Sequence, residues 1–191
     1  MRPITFLSLT AALLSAANLP TDKPAPPAEI SQLDECIQQR FLDRTSFGMS
    51  RIAAPRPSHA FRVFEPENLV EQRIVDRLRR KGFAVAVFLV GRLALADPAA
   101  STPRAGLQGP AFVTSPGAQL PDKAALLWEG RRALASIGER EGLDIKKGDW
   151  TIAIRPLRAS SQACIGCHSF GGTPPKIGEA LGVAMYVYRG R

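Results

Sequence analysis

Residues 150–190, "WTIAIRPLRASSQACIGCHSFGGTPPKIGEALGVAMYVYRG", decide how this chain folds. Trp150, Ile152 and Ile154 alternate with Thr151, Ala153 and Arg155, which is strand spacing over 149–159. "LGVAMYVYRG", 181–190, reads as a second strong strand. The two are close in sequence, so they are expected to pair antiparallel. Between them lie Cys164, Cys167 and His168, in a chain with three cysteines and two histidines in all.

Working outward, "FAVAVFLVGRLALA", 83–96, is rich in Val and aromatic residues and lacks a helical stripe. It reads as a central strand buried on both faces, or two strands meeting near Gly91. "AFVTS", 111–115, is a further short strand inside an irregular stretch, 97–121, and "FRVF", 61–64, is another. Residues 44–60 read as irregular. Helical spacing appears in 29–43, where Ile30, Leu33, Ile37 and Phe41 form a stripe with Cys36 at its edge. It recurs in 66–82, with Pro66 at the start, Val70, Ile74 and Leu78 as the stripe, and Gly82 at the end. In 122–141, Leu127, Trp128, Leu134 and Ile137 are expected to face inward. The fold class is α+β, an antiparallel sheet with packed helices in a single domain over 30–191.

The cluster between the last two strands carries the chemistry. C-x-x-C-H is the attachment pattern for c-type haem. Two thiols at this spacing add to the two vinyl groups on one porphyrin edge, and the adjacent imidazole reaches the iron. Zinc is a rival, but a structural zinc site takes four ligands, usually as two separated pairs. Cys36 and His59 would have to complete the set, and Cys167 and His168 are neighbours. A thioredoxin-type dithiol expects a parallel βαβ setting. A structural Cys164–Cys167 disulfide is the plainest alternative. The expected cofactor is one covalent haem c with its iron, anchored by Cys164 and Cys167 and ligated by His168.

"RPLRASSQACIGCHS" followed by "PKIGEALGVAMYVYR" resembles the c-type haem-binding domains with a PAS-like fold, a family long known only as a domain of unknown function. There the motif follows a strand, and a loop then leads into a G-(D/E)-x-x-G turn and a final strand. Gly178, Glu179 and Gly182 match that turn. Upstream, Cys36, "PRPSHAF" and "EPENLVEQ" stand where the family has a cysteine-bearing helix, an Arg- and Pro-containing loop, and a second helix. The loop lacks the family's Arg-Asn-Pro pattern. The resemblance implies a PAS-like sheet and makes Cys36 the candidate sixth ligand of the iron. A thiolate there would be protected from oxidation and would favour the ferric state. His59 is the main competitor, and Met49, Met185 or an open position remain. Arg155 and Arg158 precede the motif and are candidate donors to the haem propionates. Trp128, Trp150, Tyr186 and Tyr188 are candidates to wall the ring, though core packing also accounts for them.

Composition narrows the setting. The opening "MRPITFLSLTAALLSAANLP" has a basic start, an apolar run too short for a comfortable membrane span, and small residues at Ser15–Ala17. It reads as a cleaved signal peptide, residues 1–17, followed by a Pro-rich linker, 18–29. About 170 residues then remain, the length of one domain. Export to the periplasm or beyond is where haem c attachment takes place. The net charge of +8 comes from dispersed basic residues and no nucleic-acid motif accompanies it. The expected partner is a redox protein, acidic where it docks, with peripheral membrane association as an alternative. The chain is expected to be a monohaem cytochrome that transfers single electrons and is not an enzyme. A haem-based redox or gas sensor is the alternative.

Overall fold

The computed structural model describes residues 27–43, 48–53, 62–92, 107–168 and 173–190. Helix α1 (Ala28–Asp43) leads into a 3-10 turn (Gly48–Arg51) and a two-residue strand, β1 (Arg62–Val63). Helix α2 (Leu69–Arg80), strands β2 (Ala84–Gly91) and β3 (Leu107–Phe112), and helix α3 (Lys123–Ser136) follow. The chain then forms β4 (Leu143–Lys147), β5 (Trp150–Arg158), the short helix α4 (Gln162–His168) and β6 (Ala180–Arg189). The expected signal peptide, His59 and residues 93–96 lie outside the described residues. So does most of the linker, of which Ala28 and Glu29 form the first turn of α1.

The fold is α+β. Six strands form one sheet in the order β1-β3-β2-β6-β5-β4. β5 and β6 pair antiparallel, Thr151 opposite Tyr188 through Leu157 opposite Gly182. β6 also pairs antiparallel with β2 along the whole of β2. The sheet is mixed rather than purely antiparallel, because β1 runs parallel to β3. β1 enters at the edge just before α2 and returns no hairpin, so nothing forces the opposite sense.

Alternation sorts the sheet's side chains between two cores. On one face, Val85, Val87, Ala153, Ala184, Tyr186 and Tyr188 pack against α1, α2 and the 3-10 turn. On the other, Phe88, Val90, Ile152, Ile154, Val183 and Met185 pack against α3. Helices covering both faces explain why β2 and β6 read as unbroken apolar runs.

The helix ends follow local rules. Asn68 caps α2 by accepting a hydrogen bond from the Glu71 N–H at 3.0 Å, so the helix starts after Pro66 rather than at it. At its other end the Gly82 and Phe83 N–H groups donate to Arg79 and Leu78, the pattern of a Schellman turn. α3 is shorter than its sequence reading. It stops at Ser136, and Gly138 follows with φ of +49°, a conformation that ends a helix. The residues beyond it include β4, which carries too little apolar alternation to be seen in the sequence.

Three further expectations need correction. Val70, expected on the inward stripe of α2, is exposed, and Glu71, Ile74, Val75 and Leu78 form the buried face. Trp128 does not face inward and is 58% exposed, with the Arg132 guanidinium stacked 4.8 Å from its ring. The buried face of α3 is carried by Leu126, Gly130, Ala133 and Leu134, and position 128 lies about 200° around the helix from Leu126. β3 begins at Leu107, earlier than the expected strand at 111–115. Gly109 and Pro110 lie opposite a register shift between Val87 and Leu89, so a proline sits inside the strand where the ladder is already interrupted.

One buried ion pair ties the α1–α2 side together. Arg40 is 4% exposed and faces Glu71, itself 2% exposed, through two side-chain hydrogen bonds. Its guanidinium also donates to the carbonyls of Ile52 at 3.0 Å and Glu65 at 2.9 Å and stacks over Phe64. Arg40 thereby joins α1, the 3-10 turn, the chain entering α2, and α2 itself. Arg40→Leu would leave Glu71 buried without its cation and should cost about 3–5 kcal/mol in urea unfolding. Replacing both residues by apolar ones should cost clearly less. Equal losses in the single and double variants would show that the pair does not behave as a unit.

Candidate haem-attachment site

The C-x-x-C-H motif lies on α4, the seven-residue helix inserted between β5 and β6. Main-chain bonds secure both ends of the insert. Ala159 donates to the Glu179 carbonyl at 2.9 Å, and Gly178 donates to the Ala159 carbonyl at 2.8 Å. Arg158 reinforces this closure, donating to the carbonyls of Gly178 at 2.9 Å and Arg140 at 2.8 Å. The G-E-x-x-G residues have matching structural tasks. Glu179 pairs with Arg92 at 2.8 Å and accepts from the Lys176 N–H at 2.9 Å. Gly182 lets β6 approach β2 closely, since a Cβ there would lie 2.7 Å from the Val90 carbonyl oxygen.

On the α4 backbone, positions 164, 167 and 168 are spaced i, i+3, i+4 and share one helix face. Only the backbone of Cys167 is described. Cys164 is a half-buried free thiol. Ser161 Oγ lies 3.4 Å and Ser160 Oγ 3.8 Å from its sulfur. Hydrogen bonding from Ser161, the largest influence, brings the thiol down to about 7. His168 is exposed at the end of the helix. Lost solvation, then the charges of Arg51 and Arg92, hold its imidazole below the ordinary histidine value. It is therefore neutral at pH 7, with a lone pair free for a metal. Two thiol positions and a neutral imidazole on one exposed helix face are a donor set that fits covalent haem with one protein axial ligand.

The remaining candidates are dispersed. Cys36 is a half-buried free thiol on α1, lining a cleft of about 400 Å³ between α1 and α2 with Glu35, Arg40, Glu67, Val70 and Glu71. Among the described side chains, none from the motif lines that cleft. Burial, and then the Glu71 carboxylate, push the Cys36 thiol upward, opposite to Cys164. Among the described residues no three His, Cys, Asp or Glu side chains gather as a metal-holding group. Met49 and Met185 are both buried, in the α1-side and α3-side cores respectively.

Arg155 pairs with Asp144 at 2.9 Å and also donates to the Ile154 carbonyl at 3.0 Å. With Arg158 it has internal partners that account for its conformation. Trp150 lies in the α3-side core, Tyr186 and Tyr188 lie in the α1-side core, and Trp128 is exposed, so the four aromatic candidates do not converge. The sequence reading missed two buried polar contacts. Tyr186 donates to Asp34 at 2.7 Å beneath α1, and Arg40 binds Glu71. The second had a signal. Arg40 follows Ile30, Leu33 and Ile37 on the same stripe, and Glu71 precedes Ile74 and Leu78 on theirs.

No protein family, curated protein or solved structure matches this chain. No helix among the described residues is long and apolar enough to cross a membrane.

In the haem-free protein, the His168 ring should titrate with a midpoint below 6.5 when followed by NMR. Its folded value is depressed, so the folded chain binds fewer protons than the unfolded chain and stability falls as pH drops through about 6.5. Arg51→Gln and Arg92→Gln should each raise the midpoint. A midpoint at or above the free value would remove the argument for a neutral ligand.

Proposed function

We propose that this chain is an exported monohaem c-type cytochrome with one haem bound covalently through Cys164 and Cys167 and axially through His168. The C-x-x-C-H sequence on an exposed helix face, held at both ends by main-chain bonds from the β5–β6 pair, carries this reading. When bound, the haem supplies an iron that cycles between ferric and ferrous states by one electron. Cys164 and Cys167 hold the ring, and the His168 imidazole holds the metal. α4 is largely exposed, so a haem held there would be within reach of a partner, and one-electron transfer would need no protein acid or base.

The PAS-like reading of the fold is supported by the five antiparallel strands in the order β3-β2-β6-β5-β4, where the last strand lies beside the first long one. The placement of Gly178, Glu179 and Gly182 supports it further, because Gly178 and Glu179 close the motif insert and Gly182 seats β6 against β2. Cys36 is the first candidate for the sixth iron position and His59 the second. The net charge of +8 favours an acidic redox protein as partner, through steering at low salt. Arg155 and Arg158 retain their candidacy as propionate donors only through N–H groups beyond those engaged internally.

Expression with haem-attachment machinery in an exporting host should yield mature protein heavier by one haem. Its spectrum should be low-spin and six-coordinate in both redox states and unmoved by carbon monoxide. Cys36→Ala should convert it to a high-spin form, whereas His59→Ala should not. A ferrous form that binds carbon monoxide readily would move the assignment to gas sensing. Mature protein without added haem would end the cytochrome reading.

A further inference from the structure

Two serine hydroxyls converge on one thiol at the start of the motif. Ser161 Oγ is 3.4 Å and Ser160 Oγ 3.8 Å from Cys164 Sγ. Neither serine is placed by chance. Both directly follow Ala159, which is anchored by hydrogen bonds to Gly178 and Glu179. The Ser161 carbonyl accepts from the Cys164 N–H at 3.1 Å, which sets the turn that brings Sγ back toward the hydroxyls. Ser161 precedes the first residue of α4, so Cys164 occupies the helix position where a capping box has its carboxylate.

We propose that Ser160 and Ser161 are positioning residues that make Cys164 a nucleophilic thiol, set to add to a vinyl group of the porphyrin. This rests on the cytochrome reading for the identity of the acceptor, but not for the activation of the thiol. Hydroxyl donors stabilise a thiolate more than a thiol, because the anion is the stronger acceptor. The addition is redox-neutral. A bond forms between Sγ and the vinyl carbon next to the ring. The S–H bond and the vinyl π bond break, and the hydrogen ends on the terminal carbon. Cys36 supplies an internal contrast. It is packed against the α1-side core, with Glu71 among the residues lining its cleft, and two neighbouring carboxylates disfavour its anion. The two described thiols are thus driven in opposite directions by their surroundings, and the one in the motif is the reactive one.

The test uses the full haem-free chain carrying Cys36→Ala and Cys167→Ala, so that Cys164 is the single thiol. Its rate of alkylation by iodoacetamide, followed over a pH series, should show a midpoint near 7. Ser160→Ala with Ser161→Ala should shift that midpoint upward and slow the reaction at pH 7 by up to roughly sixfold. That factor combines about 50-fold less thiolate with the higher intrinsic reactivity of a more basic thiol. Ser161→Thr, which keeps the hydroxyl, should retain most of the rate, whereas a purely structural serine would leave the pH profile in place when removed. An unchanged pH profile in the double alanine variant, with the fold intact by circular dichroism, would overturn the proposal. The otherwise native chain and its double serine variant are also expressed with haem-attachment machinery. If the native chain takes up no haem while the serine-dependent shift is present, the cytochrome reading fails and the activated thiol stands. If the native chain is loaded, the double variant should accumulate more chains with an unreacted Cys164.

Discussion

The burial of β6 on both faces is the constraint from which the rest of the structure follows. Every side chain from Leu181 to Tyr188 is buried, and the strand is paired on both edges, with β2 on one side and β5 on the other. A strand with this surrounding has no freedom to slip. A shift of one residue would exchange Met185 and Val187 for Tyr186 and Tyr188 between two differently shaped cores. The fixed register also places Gly182 against the Val90 carbonyl, where no side chain fits. Because β6 cannot move, the end of β5 cannot move either, and the segment joining them leaves the sheet at a defined point.

That exit point is what makes a seven-residue helix usable as a site. A helix this short has little stability of its own. α4 inherits its position from the reciprocal hydrogen bonds of Ala159 with Gly178 and Glu179, and from the Arg158 guanidinium spanning two loops. The rigid sheet thus holds an exposed, chemically reactive segment, a division of labour common where loops carry function on a packed scaffold. The same closure fixes Ser160 and Ser161, so the electrostatics around the Cys164 thiol are a consequence of the β5–β6 pairing.

The two faces of the sheet are finished in different ways. The α3 side is packed mainly by apolar side chains, with the buried Glu129 carboxylate pairing with Arg132 at 2.9 Å, and Gly130 permits close packing over Val90 and Met185. The α1–α2 side includes charge. Arg40 and Glu71 lie inside it, and Tyr186 donates to Asp34. Burial raises both the Asp34 carboxyl and the Tyr186 phenol above their ordinary values, while the hydrogen bond from Tyr186 acts in the opposite direction on Asp34. Such groups contribute less than apolar packing to stability, but they bind only one arrangement of their partners. They fix how α1 sits over the sheet, and with it the position of Cys36.

Local pattern was sufficient for the elements whose causes are local. Alternation from Trp150 to Arg155 marks β5, the apolar run from Val85 to Val90 marks a doubly covered strand, and the stripe of Ile30, Leu33 and Ile37 marks α1. The motif itself is a local chemical word, legible without any fold. β4 is not legible because its residues are only partly buried, and the first part of β3 is not because Gly109 and Pro110 mask a strand that exists through its pairing with β2. The side taken by Trp128 is not legible locally, because a helix has two sides and a run such as "ALLW" does not say which one meets the sheet. The α+β class, the antiparallel closure of the last two strands and the motif are all legible along the chain, since each depends on neighbours a few residues apart. The contact of Ser161 with Cys164 is likewise local, three residues apart on one turn. Tertiary packing sets the other thiol: burial of Cys36 and the approach of Glu71 to it depend on how α1 and α2 are brought together, and no spacing along the chain encodes that.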